Sequence, residues 1–129
     1  MEKIENNSKE FKSSLMNKAL SYLSKFSTTE SKLRSNLNIY CENFFSEIRK
    51  EFLQSEINSV LKRCKELGYI NDKTFAKNKI EKFINAGKSK KYIIVKLQSY
   101  GISGDIITKS LEKYFDKFSN NDFLAALNF

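Results

Sequence analysis

Apolar side chains recur along the chain three to four residues apart, which is the spacing of one face of an α-helix. Six such stripes follow one another, at 15–26, 33–48, 57–67, 75–84, 92–100 and 106–118. The chain has no proline and only four glycines, so little interrupts these segments. The pattern predicts six helices and an all-α fold.

Cap residues mark where several of these helices begin and end. Ser27 is predicted to cap the second helix, with Glu30 three residues later completing a capping box. Gly68 is predicted to end the third helix, because glycine adopts a left-handed backbone at little cost. Asn71 or Asp72 then caps the fourth, which makes a helix-turn-helix corner.

The stripes also repeat. Six apolar positions of the first two helices match positions 60 residues later, namely Leu15/Phe75, Leu20/Ile80, Leu23/Phe83, Leu33/Ile93, Leu37/Leu97 and Tyr40/Tyr100. The third and sixth helices match at 50 residues, through Phe52/Ile102, Ile57/Ile107 and Leu61/Leu111. The difference is an insertion at 42–51, which keeps helical spacing, and Cys41 stands where the second copy has Gly101. We therefore expect the second helix to continue through the insertion as a long rod.

No helix pair would bury both partners' apolar stripes, so three helices are the natural unit. The predicted architecture is a set of tandem three-helix repeats forming an elongated curved array. Residues 1–11 are an N-terminal tail, 12–70 the first repeat with its extended second helix, 71–119 the second repeat, and 120–129 the start of a truncated third. That last segment presents Phe123, Leu124, Leu127 and Phe129, which favours self-association or disorder.

Composition removes several classes of function. At 129 residues and 40% apolar content, the chain suits one globular domain with a modest core. It contains no apolar run of about 18 residues and no secretory signal, so we expect a soluble, cytoplasmic protein without membrane contact. Without histidine, the two cysteines, Cys41 and Cys64, form no metal site or disulfide framework. No catalytic residues and no cofactor are predicted, because paired acids and nucleophile–base sets are missing and a helix cap explains Asp72.

The net charge of +8 is unevenly distributed. Residues 87–101 contain four lysines and no acid, and 52–86 carry an excess of bases. Cations there are the candidate contacts to a polyanion: Lys62, Arg63, Lys65, Lys73, Lys77, Lys79, Lys88, Lys90, Lys91 and Lys96. The alternative is a lysine-rich face that only meets solvent.

The turn GKSKKY at 87–92 lacks the GxxxxGK[ST] spacing of a nucleotide-binding loop. Ser89 instead fits the N-cap of the fifth helix, with Lys90 and Lys91 on its first turn. Positive charge there opposes the helix dipole, which an anionic partner would relieve. Lysines act as point charges, so shape-tolerant binding is expected rather than sequence-specific binding.

Three segments carry a family resemblance: ELGYINDKTFAKNKI at 66–80, ALSYLSKFSTTESKLRSNL at 19–37 and GKSKKYIIVKLQSYGISGDIITKSLEKY at 87–114. Together they resemble the bacterial RecX recombination regulators in their spacing of small and apolar residues around glycine. Family members usually have three three-helix units, so this chain is short by about two helices. The resemblance implies binding along the RecA filament on single-stranded DNA and inhibition of recombinase and ATPase activity in DNA repair and the SOS response.

Two other functions stay open on the residues alone. One is a stand-alone basic helical protein that contacts nucleic acid directly through its helix-turn-helix corner. Recognition helices usually carry Arg, Asn or Gln, and the fourth helix offers only Lys77, Asn78 and Lys79. The other is an inert structural remnant with no partner.

Overall fold

The computed structural model describes the backbone of residues 2–114 and the side chains of residues 9–114. This part of the chain contains six α-helices and no strand, which confirms the all-α prediction. The helices are α1 Glu2–Lys25, α2 Glu30–Phe44, α3 Lys50–Glu66, α4 Asp72–Asn85, α5 Lys90–Ser99 and α6 Gly104–Glu112. The predicted third-repeat segment at 120–129, with its proposed self-association, lies outside the described residues.

The chain divides into two compact units, unit 1 at Met1–Ile70 and unit 2 at Asn71–Phe129. Each unit holds three helices around its own apolar core. The division falls between Ile70 and Asn71, the same position as the expected boundary between the first two repeats.

The predicted N-terminal tail at 1–11 is wrong, because α1 already begins at Glu2. Phe11 lies in the core of unit 1 with 1% of its surface exposed, directly below Leu15 and Ala19 on the same helix face. Its ring packs against Phe45, with ring centroids 4.7 Å apart in an edge-to-face arrangement. A third apolar anchor one turn earlier therefore keeps the N-terminal half of α1 helical.

The predicted capping box at Ser27 and Glu30 is also wrong. The N-cap of α2 is Thr29, whose hydroxyl accepts a hydrogen bond from the Lys32 backbone N–H at 3.3 Å. Thr29 is fully buried, so the cap is enclosed by the core of unit 1. Glu30 is consequently the first helical residue, where its negative charge interacts favourably with the positive end of the helix dipole.

The second helix does not continue through the insertion as a long rod, which corrects the expected extended helix. It ends at Phe44, and Phe45 leaves the helical conformation with φ −137° and ψ 36°. Phe45 and Ile48 turn inward and pack against the core of unit 1 before α3 starts at Lys50. Burial of these two side chains outweighs the helical spacing of the inserted sequence.

The core of unit 2 is built from the predicted stripes of the last three helices. Phe75, Ile80, Leu97, Ile107 and Leu111 are all buried there. Asn71 caps α4 by accepting from the Thr74 N–H at 3.1 Å, as one of the two predicted caps.

Three glycines end helices with a left-handed backbone. Gly68, Gly87 and Gly101 have φ values of 76°, 75° and 78°. At the α4–α5 turn, the Gly87 N–H donates to the Ile84 carbonyl at 2.9 Å, and the Lys88 N–H donates to the Phe83 carbonyl at 2.9 Å. These two hydrogen bonds form the Schellman motif, which fixes where α4 stops and α5 begins.

The two units bury equivalent positions in part. The pairs Leu33/Ile93, Leu37/Leu97, Ile57/Ile107 and Leu61/Leu111 are each at most 1% exposed on both sides. Two predicted pairs fail, because Leu20 is 38% exposed against 0% for Ile80, and Phe52 is 37% exposed against 5% for Ile102.

Candidate lysine-rich binding site

The α4–α5 turn presents the acid-free lysine segment on a fixed backbone. Ser89 caps α5 by accepting from the Tyr92 N–H at 3.1 Å, as the sequence predicts. Lys88 is exposed just before this cap, and Lys90 and Lys91 open the helix. No acid lies in the first turn of α5, so three lysines and the positive end of the helix dipole share one short segment of the chain. An anion at this turn would be attracted by both.

The Tyr92 ring contacts two of the predicted cations. The Lys88 Nζ lies 4.9 Å from the centre of the Tyr92 ring, and the Lys96 Nζ lies 5.7 Å from it. The Phe83 ring packs edge-to-face with the Tyr92 ring, with centroids 5.5 Å apart. Cation–π attraction of this kind orders a lysine without neutralising it. Lys88 and Lys96 therefore keep their charge while losing part of their conformational freedom.

Lys79 has a different setting from its neighbours. It is half-buried, and its Nζ lies 5.5 Å from the ring centres of both Phe75 and Tyr100. Its alkyl chain covers the core of unit 2 and its ammonium faces two rings. Of the predicted cations, Lys79 is the one most committed to packing.

Three predicted cations, Lys62, Arg63 and Lys65, belong to unit 1, on α3, and all are exposed. Arg63 pairs with Glu66 at 3.7 Å, and Lys65 pairs with Glu30 of α2 at 2.8 Å. Carboxylates therefore offset part of the positive charge on this helix. The other seven predicted cations lie in unit 2.

A groove between α4 and α6 of unit 2 brings together Lys73 and Lys77, which the sequence predicts, with Lys109 and Lys113, which it misses. We call this the α4–α6 groove. Its volume is about 350 Å³, and Thr74, Ser110, Ile106 and Tyr114 complete the lining. The sequence analysis misses Lys109 and Lys113 because nearby acids balance their charge in a count along the chain. A usable signal was their spacing of four residues, the same as that of Lys73 and Lys77, which places each pair on one helix face.

The structure supplies little for covalent or metal chemistry in its described part. Residues 9–114 hold no group of three or more potential metal ligands. Cys41 and Cys64 are both buried in unit 1, and burial raises the pKa of each thiol. A protonated, enclosed thiol is a poor nucleophile. None of the described helices is long and apolar enough to cross a membrane.

The comparisons with individual proteins, in sequence and in structure, both find RecX proteins. No protein-family model matches the chain. Two curated relatives, each named "Regulatory protein RecX" and from Lactococcus lactis subsp. cremoris strains SK11 and MG1363, are 37% identical over 79 residues. The matched stretch covers 56% of this chain but only 29% of each relative. The crystal structure of RecX from Lactobacillus salivarius superposes with a TM-score of 0.68 at 26% identity, covering 81% of this chain and 62% of that one.

Proposed function

Because this chain belongs to the RecX family, we propose that it binds the RecA filament on single-stranded DNA and inhibits the recombinase and its ATP hydrolysis. The observation that carries the proposal is the joint likeness in sequence and fold to proteins named as RecX regulators. The chain spans less than two thirds of those relatives, so RecA as partner is part of the proposal.

The repeated units favour a repeating partner. Each unit offers its own three-helix surface, and the two are joined by the short corner at 67–71. On a lattice of identical subunits, binding of one unit raises the effective concentration of the other. Weak contacts by each unit then add to a useful affinity without any single strong site.

The α4–α5 turn is the proposed centre of the filament contact, through Lys88, Lys90 and Lys91. These residues lie at the start of a helix and not in the core of unit 2. They can therefore be substituted to test their role without loss of the fold. Filament binding through them should weaken as salt rises, because the ammonium charges are screened. The remaining predicted cations of unit 2 and those on α3 are secondary contacts in this proposal.

The test is RecA's DNA-dependent ATP hydrolysis, with binding to the filament measured in parallel. The full chain should slow hydrolysis at concentrations well below those at which it retains bare single-stranded DNA. The variant Lys88→Ala/Lys90→Ala/Lys91→Ala should bind the filament more weakly and with a flatter salt dependence, while its helical content stays unchanged. The variant Lys25→Ala/Lys32→Ala/Lys50→Ala removes the same charge from exposed positions of unit 1 and serves as the matched control.

Two results would contradict the proposal. Equal loss in both triple variants would mean that only net charge matters and that the turn is not the contact. If bare DNA were bound at least as tightly as the filament, and hydrolysis were unaffected at saturating protein, a stand-alone nucleic-acid-binding function would replace the regulator.

A further inference from the structure

The α4–α6 groove concentrates positive charge more than any stretch of the sequence suggests. Lysines line it from both helices, with Lys73 and Lys77 on α4, Lys109 in the last turn of α6 and Lys113 at its C-cap, and Thr74 and Ser110 add hydroxyl groups. All four lysines are exposed, so their ammonium groups are accessible to a ligand. Of the four, only Lys109 forms an ion pair within residues 9–114, with Asp105 at 3.3 Å. The groove therefore keeps most of its positive charge.

The carboxylates near the groove leave this charge largely in place. Asp105 and Lys109 are 74% and 69% exposed, so their pair is open to solvent and weak. Glu81 accepts a hydrogen bond from the Tyr114 hydroxyl at 2.7 Å and forms no ion pair with a groove lysine among residues 9–114. An anionic ligand would compete with Asp105 for Lys109 and meet the other three ammonium groups directly.

The spacing of the lysines suits a chain of anions. On each helix, the two lysines are four residues apart and so about 6 Å apart along the axis. One strand of nucleic acid stacked as in B-form carries a charge about every 3.4 Å. Each lysine pair therefore spans about two phosphates, and the two pairs face each other across the groove.

We propose that the α4–α6 groove binds the phosphodiester backbone of single-stranded nucleic acid. The lysines stand on two sides of a depression of about 350 Å³, so the backbone of one strand can lie between them. A lysine ammonium is a compact point charge without the rigid fork of arginine, and the Tyr114 hydroxyl already donates its hydrogen to Glu81. The contact is consequently with phosphates and independent of base sequence. The proposal concerns direct binding without RecA, although Lys73 and Lys77 are also secondary contacts in the function proposed above.

The test uses the full chain and a fluorescein-labelled 20-residue oligodeoxythymidylate, with fluorescence anisotropy measured from 50 to 300 mM salt and no RecA present. The variant Lys77→Gln/Lys113→Gln removes one lysine from each helix, and Lys32→Gln/Lys50→Gln is the control with equal charge loss in unit 1. Each lost phosphate contact lowers the salt slope of single-strand binding by about 0.7. The groove variant should thus lose about 1.4 from the slope and bind on the order of 25-fold more weakly at 0.1 M salt.

A gain-of-function variant guards against misfolding as an explanation. Asp105→Asn frees Lys109 from its ion pair and should tighten binding about fivefold at 0.1 M salt, the effect of one added phosphate contact. Circular dichroism and the thermal midpoint should stay at wild-type values in all three variants.

Two outcomes overturn the proposal. Equal binding by the groove and control variants, with no gain in Asp105→Asn, would remove the site. A 20-base-pair duplex that bound as tightly as the single strand, and lost as much in the groove variant, would show that the groove binds duplex and would overturn the assignment to single strands.

Discussion

Ion pairs join neighbouring helices in unit 1, whereas unit 2 has a groove lined by lysines and a tyrosine ring shared by two more. Lys12 pairs with Glu56, and Lys65 joins α3 to Glu30 of α2. In unit 2, Lys88 and Lys96 share the Tyr92 ring, and the α4–α6 groove holds four lysines with one ion pair to Asp105 among the described residues. The two units share buried core positions, so they differ chiefly in what their surfaces do with charge. Unit 1 uses two of its cations to join its helices through ion pairs, and unit 2 gathers four of its lysines at one groove.

Helix length separates the units as well. Helices α1, α2 and α3 have 24, 15 and 17 residues, and α4, α5 and α6 have 14, 10 and 9. The longer α1 adds Phe11 to the core of unit 1, and Phe45, just after α2, packs against this core. A smaller core leaves unit 2 with less reserve against a cavity, so the largest effects of mutation are expected there.

The largest expected effect is from Phe75→Ala in unit 2. Phe75 is 7% exposed, and its ring meets that of Tyr100 edge-to-face at 5.2 Å. The substitution should lower the free energy of unfolding by about 3–5 kcal/mol, through lost burial and a cavity. Thermal unfolding measures it, with the exposed Val95→Ala as control. A midpoint for Phe75→Ala within a few degrees of wild type would contradict this placement of the helix face.

A second pair of variants tests the equivalence of the two units directly. Leu20 and Ile80 occupy matched positions in the sequence repeat, but Leu20 is 38% exposed and Ile80 is fully buried. Ile80→Ala should cost about 2–5 kcal/mol, and Leu20→Ala should stay within about 1 kcal/mol. Urea unfolding of both variants gives the comparison. If both variants lost similar free energy of unfolding, the two positions would be equivalent despite their different burial.

Alkaline pH should act on unit 1 through its thiols. Burial raises the pKa of Cys41 and Cys64, so the folded state keeps both protonated while the unfolded chain ionises from about pH 8.5. Their contribution to stability is complete below that pH and is lost as pH rises above it, because the unfolded state then binds fewer protons. Urea midpoints between pH 7.5 and 9.5 under reducing conditions should fall more steeply for wild type than for Cys41→Ala/Cys64→Ala. If the urea midpoints of the two proteins fell with pH at the same rate, the buried thiols would not be the cause.

The smallest effect concerns the ion pairs. Glu30 is 31% exposed and reaches Lys65 at 2.8 Å and Arg34 at 3.9 Å, so Glu30→Gln should cost about 0.5–1 kcal/mol at low salt. Asp105→Asn in unit 2 should change the free energy of unfolding by less than about 0.5 kcal/mol, since both groups of its pair are largely exposed. Differential scanning fluorimetry at low and high salt compares the thermal stability of the two variants. A larger loss from Asp105→Asn would reverse the contrast between the units.

Helix faces and helix ends were predictable from the sequence because they depend on local spacing. The stripes around Ile57, Ile93 and Leu111 identify core positions, and Gly68, Gly87 and Gly101 stop helices where glycine alone is cheap. The insertion at 42–51 was not predictable in this way, since its helical spacing competes with burial of Phe45 and Ile48 against distant residues. Tertiary packing decided that region, and local periodicity did not.

The charged surface was predictable only as a local excess of lysine. Lys73 and Lys77 were identified, but Lys109 and Lys113 lie in a stretch with as many acids as bases and meet the first pair only after folding. Lys79 was identified as a surface cation, although its ammonium lies over Phe75 and Tyr100. Which lysines share a surface depends on helix packing, which charge counted along the chain does not contain.

The glycine turns carry a consequence for chain chirality. Gly68 and Gly87 have φ values near +75°, and a Cβ added at either would meet nothing within 4 Å. An L-alanine there would cost about 1–2 kcal/mol of backbone strain alone. A D-alanine prefers a positive φ, so it would avoid this backbone strain and restrict the unfolded chain, an effect of about 0.4–1 kcal/mol. The turns that separate α3 from α4 and α4 from α5 are thus places where a mirror-image residue would suit the fold better than the one that biology supplies.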